Sequence, residues 1–427
     1  MPRLAIALAL SLLLAACQLG PVVPAPPPAP QPGQLAYIGR DGNIYLTDGG
    51  LSAKIALTTD ATAPPEGEGR SYHRISWSPD GRLAFAAVTR AANTVSSQIY
   101  VTTGASAPPQ LVAENEQNFV IYLHWSPAPC PNRPACRHLA YLIEKDRVEA
   151  SGDIGLHLLE IEGDAVANDL LGLGRPFFFS WHPEGRLMAW HTGGARRFNA
   201  AAQLARFSLD TDRAEPLSQP PGLFLAPAWS PTGEGWLGVL ADDATDRLHL
   251  LDAAAPQPLA EALDNQFAFV WSPDGRQAAY AIRKSATDPL FNPIHIVNVQ
   301  TGQSRRLTDR AFRIAAFFWS PDGEKLAYLQ QPAVGEDWLQ WRVYNLRTGI
   351  DRGFAVFVPS YQMLYVLGSF NQYAQSHRLW SADSRYLVYA DRDEGLVQRV
   401  WLVDTANPNG AQSILVDEGT FGVWSWE

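Results

Sequence analysis

Few residues in this chain are spaced for chemistry. His182 and Glu184, in the run Trp181-His182-Pro183-Glu184-Gly185, set an imidazole beside a carboxylate, with His191 and the pair Arg196-Arg197 following. Such a pair can hold a metal or move a proton, but two residues apart on one turn it reads as turn variation. No metal ligand, catalytic residue or cofactor is assigned from it. No Gly-x-Ser-x-Gly elbow occurs, so no serine-hydrolase domain is indicated. No Asp-x-Asp-x-Asp-Gly calcium loop appears either, Asp391-Arg392-Asp393-Glu394 reading as an acidic, solvated turn. A phosphate-binding glycine loop is also missing. One arrangement escapes a local reading. Carboxylates from distant segments can converge in a channel and cleave a glycosidic bond without leaving any motif.

Recognition chemistry is easier to find. Val358 to His377 is rich in aromatic and amide side chains and has no Asp, Glu, Lys or Arg, the composition of a contact surface for a sugar, a peptide or another protein. Tyr361, Tyr365, Phe370 and Tyr373 lie in it, and Trp338 and Trp341 lie just before it. These six form the candidate binding surface. The competing reading is that the tyrosines and Phe370 fill a gap between repeats or the mouth of a channel. Strand alternation places 338 and 341 on opposite faces, so one of the two tryptophans is expected to meet solvent.

Of three cysteines, Cys130 and Cys136 flank Pro131-Asn132-Arg133-Pro134-Ala135 where related segments carry a tight turn. Outside the cytoplasm two such cysteines across one loop read as a disulfide. A metal site there would recruit His138, but no second cysteine-rich pair exists to complete four ligands. The third cysteine ends Leu14-Ala15-Ala16-Cys17, after Arg3 and an apolar run from Leu4 too short to span a bilayer. This ending resembles the lipobox of bacterial lipoproteins. The resemblance implies a signal peptide over 1–17, a mature chain beginning at a lipidated Cys17, and membrane attachment through that residue on the periplasmic face or cell surface. Residues 18–34 follow as a tether with seven prolines, extended and reaching about 50 Å. The net charge of −10 argues against nucleic-acid partners and against electrostatic adhesion to anionic lipid.

The elements that must position all this are repeats. Trp-Ser-Pro-Asp-Gly stands at 77–81, 271–275 and 319–323, with looser forms beginning at Trp125, Trp181, Trp229, Trp380 and Trp424. In the full form, proline presets the first turn corner and glycine accepts the positive φ of a hairpin exit. Successive tryptophans are 42 to 61 residues apart, and β-branched and aromatic runs broken by Gly, Pro, Asn and Asp separate them. That period and texture predict an all-β propeller of four-stranded blades as one domain over 35–427. Eight tryptophan strands imply eight blades, with seven as the alternative. Trp424-Ser425-Trp426 is a leading strand with nothing after it, and Leu35-Ala36-Tyr37-Ile38 opens a unit without its leading strand. The C-terminal strand is therefore expected to complete the N-terminal blade and remove both free edges. The repeat tryptophans are read as packing between blades.

These hairpins, followed by strands such as Leu326-Ala327-Tyr328, resemble the repeats of TolB-type propellers and those in the propeller domains of prolyl-oligopeptidase and dipeptidyl-peptidase enzymes. The resemblance implies a ring whose loop face or channel mouth docks proteins, or a gate for a hydrolase domain that these residues do not encode. The TolB-type protein has six blades and a separate α/β domain, so its partners do not carry over. The expected function is a lipid-anchored, extracytoplasmic module, monomeric, that binds or scaffolds a protein or envelope glycan without catalysis. The alternative is a carbohydrate-active hydrolase or lyase whose carboxylates meet in the channel.

Overall fold

The computed structural model describes residues 31–427 except 66, 93, 105–106, 117, 145–152, 243–244, 252–254, 263–265, 284, 286–287, 333–334 and 408–412. The expected signal peptide, Cys17 and most of the expected tether lie outside the described residues. Gln31 to Glu427 form one compact unit.

The tryptophan-serine turn explains why this sequence reverses where it does. In the 271–275 repeat the Gly275 N–H donates to the Ser272 carbonyl at 2.9 Å, with Gly275 at φ +68°. The Ser272 hydroxyl donates to Asp274 at 2.6 Å and accepts the Gln277 N–H at 3.0 Å. Ser320 repeats the pattern with Asp322 and Lys325, and so does Ser381 with Asp383 and Tyr386. The buried serine is thus the hub that ties both strands of the hairpin to the turn. Neighbouring turns nest: a Cβ on Gly275 would stand 2.9 Å from Ser230 Oγ of the preceding repeat.

From each turn the chain runs as an antiparallel meander. Gly69–Trp77, Leu83–Ala91, Thr94–Thr102 and Gln110–Asn115 pair in order, and three further four-stranded sheets follow the same plan. An eight-stranded sheet consists of two such meanders touching through Phe291 and Ile314. In the remaining, six-stranded sheet the strand Ser413–Trp424 serves twice. Its first half pairs with Gln398–Asp404, and its second half pairs with Gln34–Gly39, Leu35 facing Trp424 and Ile38 facing Phe421. The expected pairing of the C-terminal strand beside Leu35 to Ile38 is therefore present. Alternating strand residues fill the space between sheets with Leu, Ile, Val, Phe and Ala, a continuous core from Leu35 to Trp424.

Cys130 and Cys136 form a disulfide with Cα atoms 5.3 Å apart. It closes a loop in the sheet of Phe119–Cys130 and Arg133–Glu144.

Candidate functional site: a tryptophan-lined channel mouth closed by a helical plug

Between Asp351–Phe357 and Trp380 the chain leaves the sheet plan and forms two short helices, α1 (Tyr361–Gly368) and α2 (Phe370–Tyr373). Ser360 starts α1, accepting the Met363 N–H at 3.1 Å and donating to the Thr420 carbonyl at 2.6 Å. The uncharged composition of this stretch reflects where it sits, against the first strands of several repeats at once. Gln362 accepts from Arg74 and meets His73 Nδ1 at 3.2 Å. Tyr365 and Tyr373 both donate to the Ile121 carbonyl. Gln372, fully buried, brackets one residue of an edge strand: its Nε2 donates to the Phe179 carbonyl at 2.8 Å and its Oε1 accepts the Phe179 N–H at 3.2 Å. The same Nε2 reaches the Tyr122 hydroxyl at 2.9 Å. Phe370 wedges among Phe291, Phe317 and Phe318.

The six residues of the candidate surface are thereby separated. Phe370, Tyr373 and Trp341 are buried and present no contact surface, the first two as parts of the plug. Tyr361 and Tyr365 are exposed, and Tyr365 carries the Arg74 guanidinium 4.0 Å over its ring. Trp338 is half-buried and donates to Glu336, so of the two tryptophans it is the one that meets solvent. Channel-filling is the role the geometry gives Phe370 and Tyr373.

On the other side of the plug lies a cavity of about 380 Å³. Its wall is the set of repeat tryptophans 77, 125, 181, 229, 271, 319 and 380, together with Trp426 and the turn prolines 79, 127, 183, 231, 273 and 321. Many of the indoles are held by the repeat beside them. Trp125 Nε1 donates to Ser76, Trp181 to His124, Trp271 to Ala228, Trp380 to Phe318 and Trp77 to Val423, at 2.9 to 3.3 Å, and Trp426 Nε1 donates to the Trp77 carbonyl at 2.8 Å. The repeat tryptophans, expected only as packing, thus also line a cavity. Trp424 alone of the eight takes no part in it.

The plug segment supplies the polar side: Asn371, Gln375, His377 and Arg378. His377 and His124 are buried, and burial pushes each imidazole down to about 3, with neighbouring positive charge adding to the effect at His377. Both are therefore neutral at physiological pH. His377 Nδ1 lies 2.7 Å from the Ser376 hydroxyl, which also receives the Tyr122 hydroxyl at 2.8 Å. Arg378 has its guanidinium 4.0 Å over the Trp426 ring and donates to the Trp426 carbonyl. Among the described residues lining the cavity there is no Asp or Glu.

The other sites weighed from sequence resolve locally. The Glu184 N–H donates to His182 Nδ1 at 3.1 Å, and the His182 ring packs edge-on to Trp229, a turn and nothing more. Cys130, His138 and Glu160 lie close together, but the sulfur is spent on Cys136. Glu160 is held by Arg133 at 2.6 Å, and this pairing is the main reason its carboxyl stays below the usual range.

No family model matches the chain, and no curated protein matches it by sequence. Solved structures do. TolB from Acinetobacter baumannii aligns at 14% identity over 80% of this chain and 81% of its own, with a TM-score of 0.42. An oligogalacturonate lyase, solved in complex with manganese, aligns at 12% identity over 82% of this chain and 86% of its own, with a TM-score of 0.45. A structure from a study of two prolyl endopeptidases aligns at 10% identity over 83% of this chain and 50% of its own, with a TM-score of 0.56. All three are β-propellers. The fold of this chain is a β-propeller. At these identities the likeness concerns the fold alone.

Proposed function

We propose that this chain is a lipid-anchored, extracytoplasmic propeller of eight blades that binds a partner at its tryptophan-lined mouth. The count is supported by eight tryptophan-led meanders, the eighth beginning at Trp380 and ending in the first half of Ser413–Trp424, whose second half begins the first. The anchor rests on Leu14-Ala15-Ala16-Cys17 and the proline tether. A single observation carries the binding reading: the channel is filled from one side by α1 and α2 and left concave on the other, with a wall of indoles and prolines around a small polar patch. Such a surface offers large rigid contact area at low entropic cost. The alternative of a two-carboxylate saccharide hydrolase finds no carboxylate among the described lining residues of this cavity.

Photo-crosslinking in cells tests the reading. A benzophenone side chain placed at the rim position Pro231 is expected to yield a discrete adduct, and one at the outer-strand position Ile55 is not. Equal labelling at both positions, or labelling only at Ile55, overturns the mouth as the binding site. Replacing Cys17 by Ala is expected to move the protein from the membrane to the soluble fraction, and retention in the membrane would refute the acyl anchor.

A further inference from the structure

Arg378 breaks the repeat. Counting two residues back from each leading tryptophan gives Ile75, Leu123, Phe179, Pro227, Phe269, Phe317, Arg378 and Gly422. Seven of these positions carry no charge, and the eighth carries a permanent cation. Its main chain departs too: Phe179, Phe269 and Phe317 pair with the next strand of their own repeat, whereas the Arg378 carbonyl accepts the Trp424 N–H of the neighbouring repeat at 2.9 Å. The side chain lines the cavity. There it makes no ion pair among the described residues. Its side-chain contacts are one hydrogen bond to a neutral carbonyl and the face of Trp426. Burial alone lowers its pKa, to about 10, with no carboxylate acting on it. A half-buried cation without a counter-charge gains from an anionic partner.

A second group at the same site lacks a partner. Asn371 lines the cavity and is 6% exposed, and its Nδ2 finds no acceptor among the described residues. Both features ask for an acceptor, and one ask for a negative one. The rest of the lining decides what carries that charge. Sugar hydroxyls are donors as well as acceptors and need acceptors in return, yet the lining has no carboxylate. Gln375 spends both hydrogens of its Nε2 on the Pro227 and Asn371 carbonyls, so it adds no further donor for a ligand. Indole and proline walls suit apolar side chains and extended, proline-containing backbone.

We propose that the cavity captures the C-terminal carboxylate of an extended apolar peptide segment of a partner protein, with Arg378 as the anchoring cation and Asn371 Nδ2 as a second donor. The inference rests on the mouth being the binding site and adds the chemistry of what enters it.

The full-length protein, purified in detergent and immobilised, is offered two pools of N-acetylated hexapeptides randomised over Pro, Leu, Val, Phe and Ala. One pool ends in a free carboxylate and the other in an amide. Recovery is read by mass spectrometry. The wild type is expected to enrich free acids at least tenfold over amides, Arg378→Met to lose that preference, and Arg378→Lys to retain part of it. Thermal unfolding of each variant separates lost charge from lost fold, and Arg378→Lys keeps a donor and a cation should Arg378→Met fail to fold. Equal recovery of both pools by the wild type overturns the carboxylate anchor while leaving peptide binding at the mouth intact. Recovery of neither pool overturns both. Arg378-dependent retention of a uronate oligosaccharide with no peptide retained overturns the peptide assignment.

Discussion

Replacing Gln372 by Leu keeps the volume of the plug and removes its polar attachment to the edge strand Phe177–Trp181. Three hydrogen bonds go: two to the main chain of Phe179 and one to the Tyr122 hydroxyl. Tyr122 retains Ser376 and the Gln372 carbonyl as partners, so its loss is small. The Phe179 N–H and C=O are left facing a leucine in a buried site. Each unsatisfied group costs about 1–3 kcal/mol, which gives about 2–6 kcal/mol for the pair, centred on about 4 kcal/mol. That energy falls on the docking of α1 and α2, because the sheet hydrogen bonds of Phe177–Trp181 with Leu187–Thr192 are untouched. At about 1.4 kcal/mol per tenfold change, opening of the plug should become roughly 100- to 1,000-fold more populated. Amide hydrogen exchange reads this directly. Residues 361–377 are expected to exchange faster by that factor, and the strand Tyr386–Arg392 to remain as protected as in the wild type. Exchange of 361–377 within threefold of wild type would show that packing of Phe370 and Met363 alone holds the plug, and would refute the reasoning.

Three further outcomes follow from the same contacts. His124 and His377 are held neutral by burial, with folded pKa values of about 3 against 6.5 unfolded. Their stabilising contribution is complete above pH 6.5 and is lost progressively as the pH falls toward 3. Each costs about 3 kcal/mol at pH 4.5, so the His377→Phe variant is expected to show a smaller fall in urea midpoint between pH 7 and 4.5, and an unchanged fall refutes the assignment. Removing residues 419–427 exposes the edge of Gln34–Gly39 and strips Trp426 from Trp77. The truncated protein is expected to aggregate on purification, and a soluble monomer with wild-type melting would contradict the role given to that strand. Replacing Cys130 and Cys136 by Ser removes a short loop closure worth about 2 kcal/mol in the chain-entropy account. Unfolding in urea is expected to shift by no more than this, and a collapse of the fold would mean the disulfide does more than close its own hairpin.

The scaffold was legible because its signals are local and repeated. Trp-Ser-Pro-Asp-Gly names a turn by its own chemistry, and an unpaired leading strand at one end with a headless unit at the other names the pairing of Leu35 with Trp424. What escaped was long-range. The repeat serine, given no role from sequence alone, is the hydrogen-bond hub, visible only once Ser272 is seen between Asp274 and Gln277. The tryptophans read as packing also line a cavity, because a residue can bond one repeat with its edge while its face looks inward. The stretch 358–377 has no charge pairs to announce helices. Their trace is the 3.6-residue spacing that buries Gln362, Met363, Val366 and Leu367 and exposes Tyr361, Leu364 and Tyr365. Arg378 did leave a signal, a charge at a repeat position that elsewhere is uncharged.

The doubly used strand Ser413–Trp424 has a consequence in time. Gln34 and Ser425, which bond across it, are 391 residues apart in the chain. While the polypeptide is being made, the outer edge of Leu35 to Ile38 waits for a partner that emerges after every other repeat has had the chance to fold. Each intervening meander can condense on its own neighbours, so assembly is expected to proceed along the chain and to end in one slow step that locks first to last. Until that step the waiting edge is open to other strands, and an escort that shields it is expected to raise this protein's yield.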